Sequence, residues 1–196
     1  MKLRDYAQIY TGYTYRGSLK ESTKGNTAII QMSDASQEGV AQPAQFARTQ
    51  LDQFPAHYLL GPGDLIFRAR GLVNTCALIT EPLARTICIA PLIFIRVVVP
   101  NELLPAYLQW FINLTSTQKQ IATFARGSTV RMISVEAMLG LELVVPTLAS
   151  QQEIIATTQL QQQIGLALTE LTQKRNDYTE QALLQFAWAN RVKEWA

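Results

Sequence analysis

The chain has 196 residues, of which 48% are hydrophobic, and it carries a formal net charge of +2. This hydrophobic content is enough for a packed core and excludes intrinsic disorder, while the small net charge does not by itself identify a nucleic-acid partner. The apolar runs are shorter than the roughly 18 residues of a membrane span and no secretory signal is recognised, so we expect a soluble cytoplasmic protein.

The first 100 residues alternate between short apolar runs and polar turns. Residues 2–10 have apolar side chains at helical spacing and predict a short helix that stops at Gly12. Four later runs, rich in apolar and β-branched residues, predict the strands of a sheet. These runs are residues 27–32, 64–70, 72–80 and 86–99.

The pattern changes after Pro100. Residues 102–125 repeat apolar side chains at helical spacing and predict a helix with an interruption near Thr115. Shorter elements follow, in this order: a loop at residues 127–129, a turn of helix at 135–139 and a last strand at 142–145. Together these elements predict an α+β fold, with a globular mixed α/β-sheet domain over residues 1–149.

Residues 150–196 are predicted to form one long, coiled-coil-like helix. Ser150 and Glu153 have the spacing of a capping box, and no proline follows them. A helix of roughly 40 residues would span about 60 Å, and its apolar stripe favours cover by a partner helix. The predicted dimer or partner interface is Leu160, Ile164, Leu168, Leu171, Tyr178, Leu184, Trp188, Val192 and Trp195.

Two alternatives for this helix stay open on the sequence alone. Gly165 costs about 1 kcal/mol relative to alanine in a helix interior, and Lys174 and Arg175 fall near the apolar stripe, so a bend or break is one alternative. The tryptophan-bearing end could also fold back on its own globular domain instead of meeting another chain.

No set of catalytic residues emerges from the sequence. His57 is the only histidine and lacks an accompanying nucleophile motif, which favours a structural role. Asp64 is followed by arginines rather than by the second carboxylate and lysine typical of a metal-dependent nuclease. Cys76 and Cys88 form no CxxC pair and are predicted to be buried free thiols. We therefore expect no catalytic residue, no metal site and no enzyme activity in this chain.

Four landmarks follow one another along the chain. Residues 3–12 form an opening segment that ends in a small-residue loop, and residues 60–71 contain a Pro-Gly-Asp turn that starts a strand. Residues 127–129 precede a short apolar strand, and residues 146–154 open the long helix. In this order they resemble the specificity subunits of type I restriction-modification systems, although Thr147 stands where the family has a second proline.

The resemblance implies a target recognition domain followed by one conserved-region helix. Family members carry two such units in tandem, which recognise the two halves of a bipartite DNA site, whereas this chain carries one. It therefore resembles a half-length subunit, and a two-fold homodimer with antiparallel helices would restore the missing half. The implied partners are double-stranded DNA, a DNA methyltransferase subunit that carries S-adenosylmethionine, and, as an open alternative, a restriction subunit. No cofactor is expected on the chain itself.

Predicted DNA contacts divide into those that position the protein and those that select a sequence. The guanidinium group of arginine can form two hydrogen bonds with the edge of guanine, and the amide of asparagine or glutamine can do so with adenine. The ammonium group of lysine typically contacts phosphate. Arg70, Arg126 and Arg131 are the predicted guanine contacts, and Gln31 and Asn74 the predicted adenine contacts. The full predicted DNA-binding set is Arg16, Lys20, Lys24, Gln31, Arg68, Arg70, Asn74, Arg126, Ser128, Thr129 and Arg131.

A second class of function stays open on the sequence alone. The modest net charge is compatible with a protein-interaction protein, such as a DNA mimic or a regulator of a restriction or defence complex, that keeps the fold without recognising DNA. The same cations would then be ordinary solvated charges. Salt-dependent, sequence-selective DNA binding separates the two classes.

Overall fold

Among the residues that the structure describes, seven short strands form two sheets. The computed structural model describes residues 1–15, 22–37, 39–71, 74–125 and 131–190. The strands are β1 (Ala7–Thr11), β2 (Thr27–Ile30), β3 (Ala47–Thr49), β4 (Leu65–Arg68), β5 (Cys76–Leu78), β6 (Thr86–Cys88) and β7 (Leu92–Val97). One sheet is antiparallel with the order β1-β7-β4-β5. The other has the order β3-β2-β6, in which β2 is antiparallel to β3 and parallel to β6.

The two central strands of the four-stranded sheet are apolar without alternation, because both of their faces are covered. Leu65, Ile66 and Phe67 of β4 are fully buried, as are the first four residues of β7. Ile66 shares a buried cluster with Ile30 and Cys88 of the three-stranded sheet. The smaller sheet therefore covers one face of the larger one, and β4 lies in the core.

The described part of the globular unit also contains three short α-helices, α1 (Pro105–Asn113), α2 (Thr115–Thr123) and α3 (Val135–Leu139), besides short 3-10 turns. The predicted interruption near Thr115 is confirmed, since Leu114 has ψ 138° and separates α1 from α2. The predicted turn of helix at residues 135–139 is also confirmed, and Ser134 caps it by accepting a hydrogen bond from the Ala137 N–H at 3.1 Å.

Two predicted elements, one at each end of the globular part, are wrong. Residues 2–10 form only a 3-10 turn, Leu3–Asp5, before β1, because residues from Ala7 onward hydrogen-bond to β7 and sheet pairing overrides the helical spacing. The predicted strand at residues 142–145 is reduced to one bridge between Lys2 and Glu142, since only the first residues of the chain lie beside it.

The last helix, α4, runs without a break from Leu148 to Ala189 over 42 residues. It passes through Gly165 and Arg175, so the break that the sequence left open as an alternative does not occur. The predicted capping box at Ser150 is wrong, because the helix has already begun. Thr147 Oγ1 instead accepts a hydrogen bond from the Ser150 N–H at 3.3 Å, the usual contact of an N-cap residue.

The chain divides into two compact units, Met1–Gln152 and Glu153–Ala196. The first contains both sheets and the opening turn of α4, and the second contains the rest of that helix. The α+β class with a long C-terminal helix is thus confirmed. Among the described helices, none is both long and apolar enough to cross a membrane.

The opening turn of α4 is held by a buried polar side chain, that of Gln151. This residue has no solvent exposure. Its Oε1 accepts from the Leu104 N–H at 2.9 Å, and its Nε2 donates to the Glu102 and Pro146 carbonyls at 2.7 and 2.8 Å. Both ends of the carboxamide are therefore satisfied by backbone groups, as a buried amide requires.

Candidate nucleic-acid interface

Strand β4 leads from the core to an exposed cation at one end of the four-stranded sheet. After its three buried residues, Arg68 is half-buried, Ala69 is buried and Arg70 is exposed. Side chains of an extended chain alternate between faces, so Arg70 points away from the core while Ala69 points into it. The buried part of the strand thus fixes the backbone from which Arg70 projects.

A second predicted base-contacting residue, Arg131, lies beside this end of β4. Arg70 pairs with Met132 in an antiparallel bridge. The Gly71 N–H donates to the Arg131 carbonyl at 3.1 Å, and the Ile133 N–H donates to the Ala69 carbonyl at 2.8 Å. Two arginines that are far apart in the sequence therefore lie on adjacent extended segments. We call Arg68, Arg70 and Arg131 the arginine end of the sheet.

The turn after Arg70 depends on a glycine. Gly71 has φ +108°, a conformation that side chains with a Cβ rarely adopt. The loop closes again at the start of β5, where the Arg68 N–H donates to the Thr75 carbonyl at 3.0 Å. The backbone on both sides of residues 72–73 is thereby fixed to the end of the sheet.

Asn74, a predicted adenine contact, forms a hydrogen bond within its own domain. Its side chain is only 8% exposed, and its Nδ2 donates to the Arg68 carbonyl at 2.7 Å. The bond uses one of the two hydrogens on this nitrogen, and the side chain is buried, so the amide would have to move to pair with a base. The adenine contact stays a prediction, and the observed geometry gives Asn74 a role in closing the loop.

Two positioning residues were missed from the sequence. Asn113, at the end of α1, binds both backbone groups of Cys76, accepting from its N–H at 2.9 Å and donating to its carbonyl at 2.7 Å. Gln118 of α2 donates to the Asn74 carbonyl at 2.9 Å. The only available signal was a polar residue in each helix that could face the sheet, and such a residue cannot be distinguished from a solvated one without the fold.

Lys24 and Gln31 lie before and after β2, at its two ends. Lys24 is exposed in the turn beside Gly25, where an added Cβ would come within 2.5 Å of the Thr49 backbone. Gln31 follows Ile30, whose carbonyl accepts from the Ile89 N–H at 3.2 Å, close to the turn into β7. Gln31 is thus nearer to the arginine end than Lys24 is.

The arginine end carries positive charge that the described residues leave unpaired. Within the described ranges, Arg68, Arg70 and Arg131 form no ion pair with a carboxylate. The Arg68 Nε is buried and has no hydrogen-bond partner in the same part of the chain, so only the outer nitrogens of this guanidinium can reach a ligand. Exposed, unpaired guanidinium groups are suited to phosphate oxygens and guanine edges.

Arg96, in contrast, has a structural role. It forms a bidentate salt bridge with Asp64, in which Nε donates to Oδ1 and Nη2 donates to Oδ2, both at 2.7 Å. The hydrogen bond to the carboxylate raises the pKa of Arg96 above its usual value. Asp64 also accepts the Gly61 N–H at 3.0 Å, so this carboxylate holds the turn before β4.

Replacing Asp64 with asparagine is therefore expected to lower the free energy of unfolding by about 2 kcal/mol, because an amide would meet N–H donors on two sides. Urea denaturation of the Asp64→Asn chain measures this change. The exposed Glu81 provides a control, and Glu81→Gln should alter stability by less than about 0.5 kcal/mol. Equal stability of the two variants would contradict a structural role for Asp64.

The exposed face of α4 carries large apolar side chains. Leu160, Ile164, Leu168 and Leu171, which we call the helix stripe, are 57%, 51%, 59% and 63% exposed. Tyr178, Leu184 and Trp188 are exposed farther along. An apolar row of this length on a helix is typical of a surface that another helix covers.

Three solved structures are similar to this chain over 97% of its length. One is the S subunit of a type I restriction-modification system from M. genitalium, with 13% sequence identity and a TM-score of 0.56. Another is the HsdS subunit from Thermoanaerobacter tengcongensis, with 18% identity and a TM-score of 0.67. The third comes from work on the assembly and conformational transition of the type I R-M system, with 18% identity and a TM-score of 0.72.

The chain has the fold of a type I S subunit. It covers 46%, 44% and 45% of those three chains, respectively, and so spans about half their length. Neither a scan against protein-family models nor a search of the curated proteins found a match. The S-subunit fold was expected from the four sequence landmarks, and at this level of identity the structural similarity establishes the fold.

Within the described part of the chain, the histidine and the two cysteines are engaged in packing. His57 stacks on Tyr10, with ring centroids 5.1 Å apart, and packs at a tilt against Tyr58, with centroids 4.3 Å apart. Cys76 and Cys88 are buried and free, as predicted, and burial raises the pKa of both thiols, that of Cys88 to about 12. No group of three or more potential metal ligands is found among the described residues.

Several predicted site residues of this chain lie outside the described residues. In the globular region these are Arg16, Lys20, Arg126, Ser128 and Thr129; in the C-terminal region they are Val192 and Trp195. Their predicted contacts with DNA or with a partner stay predictions.

Proposed function

We propose that this chain is the sequence-specific DNA recognition subunit of a type I restriction-modification complex. The observation that carries the proposal is the S-subunit fold, which covers 97% of the chain. The arginine end supports it, because exposed guanidinium groups without carboxylate partners are suited to contacts with phosphate and guanine. Methylation is then performed by a methyltransferase subunit, which carries the S-adenosylmethionine.

A homodimer is part of this proposal. The chain covers less than half of each similar S-subunit chain and contains one recognition domain with one long helix. Two copies related by a two-fold axis would supply two such domains, and a two-fold axis relates two identical half-sites in inverted orientation. The exposed helix stripe supports this arrangement, since it offers an apolar surface to the second copy.

The test is to express the chain with the methyltransferase subunit encoded beside it and to map the methylated sites on DNA. We expect a bipartite motif with inverted halves, because two identical recognition domains contact the DNA. The matched control is the methyltransferase alone, which should leave that motif unmethylated. A stable complex without methylation or sequence preference would instead support an interaction protein that keeps the fold without recognising DNA.

A further inference from the structure

Apolar and charged side chains on one face of α4 lie at equal separations before and after Ile164. Leu160 and Leu168 lie four residues before and after it, Thr157 and Leu171 seven residues, and Glu153 and Arg175 eleven residues. A helix advances about 100° per residue, so steps of four, seven and eleven all stay within about 40° of one line. The helix is continuous over this whole range. The seven side chains therefore share one face.

This face ends in opposite charges. Glu153 bounds it on one side and Arg175 on the other, and both are exposed. The neighbouring cation Lys174 lies about 80° away from Ile164 by the same geometry and is paired within its own chain with Glu170 at 2.7 Å. Among the described residues of α4, Glu153 is the one carboxylate within about 40° of the line through Ile164.

A second copy of the chain is the occupant that fits such a face. In an antiparallel pair centred on Ile164, Glu153 meets Arg175 of the partner, Leu160 meets Leu168, and the same contacts recur on the other side of the axis. In a parallel pair each residue meets its own copy, which places like charges together.

Resting on the homodimer of the proposed function, we propose that two copies pair through α4 in one antiparallel register, with Ile164 on the two-fold axis and Glu153 bound to Arg175 of the second chain. The overlapping segment, from Glu153 to Arg175, then extends about 33 Å along the helix. The charged ends select this register, while the apolar residues between them supply most of the contact area.

Charge exchange in the full-length chain tests the register. Arg175→Glu or Glu153→Arg alone should raise the dimer dissociation constant at least about fivefold, because each creates two like-charged pairs. Combining both changes in one chain should restore dimerisation to within about twofold. Mixing the two single variants should give mainly the mixed dimer, in which both pairs are complementary. Lys174→Glu is the matched control, and Glu153→Arg should not rescue it.

A cross-link provides a second, independent measurement. Ile164→Cys should form a disulfide with its own copy, since a residue on a two-fold axis faces itself, whereas Leu171→Cys should not. Cys76 and Cys88 are buried and do not compete. A dimer without the Ile164→Cys cross-link and without charge rescue overturns the register and leaves the homodimer standing. A chain that stays monomeric, alone and with its methyltransferase, overturns both the register and the homodimer.

Discussion

Replacing Arg70 and Arg131 together by alanine is expected to weaken binding to target DNA at least about 30-fold. A bidentate contact between arginine and guanine contributes roughly 1 to 3 kcal/mol, and this factor takes the lower value for each of the two arginines. Both side chains are exposed, and within the described ranges neither forms an ion pair with a carboxylate. The loss should therefore appear in DNA affinity and not in stability.

The measurement is the dissociation constant of the complex with its methyltransferase, on the mapped site and on sites with one base changed. If the arginines contact bases, the variant loses discrimination between these sites. A uniform loss over all sequences, with a shallower salt dependence, would assign them to phosphate instead. Arg4→Ala is the matched control, because this exposed arginine lies before β1, at the opposite end of the sheet, and should leave affinity unchanged.

Gln151→Met is expected to lower the free energy of unfolding by about 3 kcal/mol. Methionine has a similar volume but leaves the Leu104 N–H and the Glu102 and Pro146 carbonyls without their partner. Each buried polar group left unsatisfied costs about 1 to 3 kcal/mol, and partial access of water to these loops reduces the sum. Urea denaturation monitored by tryptophan fluorescence measures the change.

The neighbouring residue is the control for this substitution. Gln152 is exposed, so Gln152→Met should change stability by less than about 0.5 kcal/mol. Gln151→Glu keeps an acceptor for the Leu104 N–H but removes both donors and buries a charge, and it should be destabilising as well. If Gln151→Met and Gln152→Met have the same unfolding midpoint, the buried carboxamide does not hold the opening turn of α4.

The sequence predicted those elements whose pattern is set locally. The helix break near Thr115, the short helix at 135–139 and the continuous apolar strand β4 all follow from spacing within a few residues. Residues 2–10 were predicted as helix because the spacing of apolar residues in so short a segment fits both the period of a helix and that of a strand. Pairing with β7, some 85 residues away, decides in favour of a strand, and no local pattern contains that information.

The candidate site was predictable in its residue types and not in its arrangement. Arginines after a buried strand were visible in the sequence, but the pairing of residues 69–71 with 131–133 depends on long-range hydrogen bonds. The same limit explains Asn74, which was proposed for adenine and is found bound to the Arg68 carbonyl. Gln151 lies within the landmark at residues 146–154, whereas its three buried backbone contacts could not be predicted from the sequence.

At the arginine end, the residues that stabilise the fold are different from those whose side chains are exposed. Leu65, Ile66 and Phe67 are buried, and shortly after them Arg70 carries an exposed side chain opposite the exposed Met132. Substitutions at exposed positions usually change stability by less than about 0.5 kcal/mol, so many side chains are tolerated there. Evolution, or a designer, can therefore vary the chemistry of this surface one position at a time, without having to rebuild the domain that carries it.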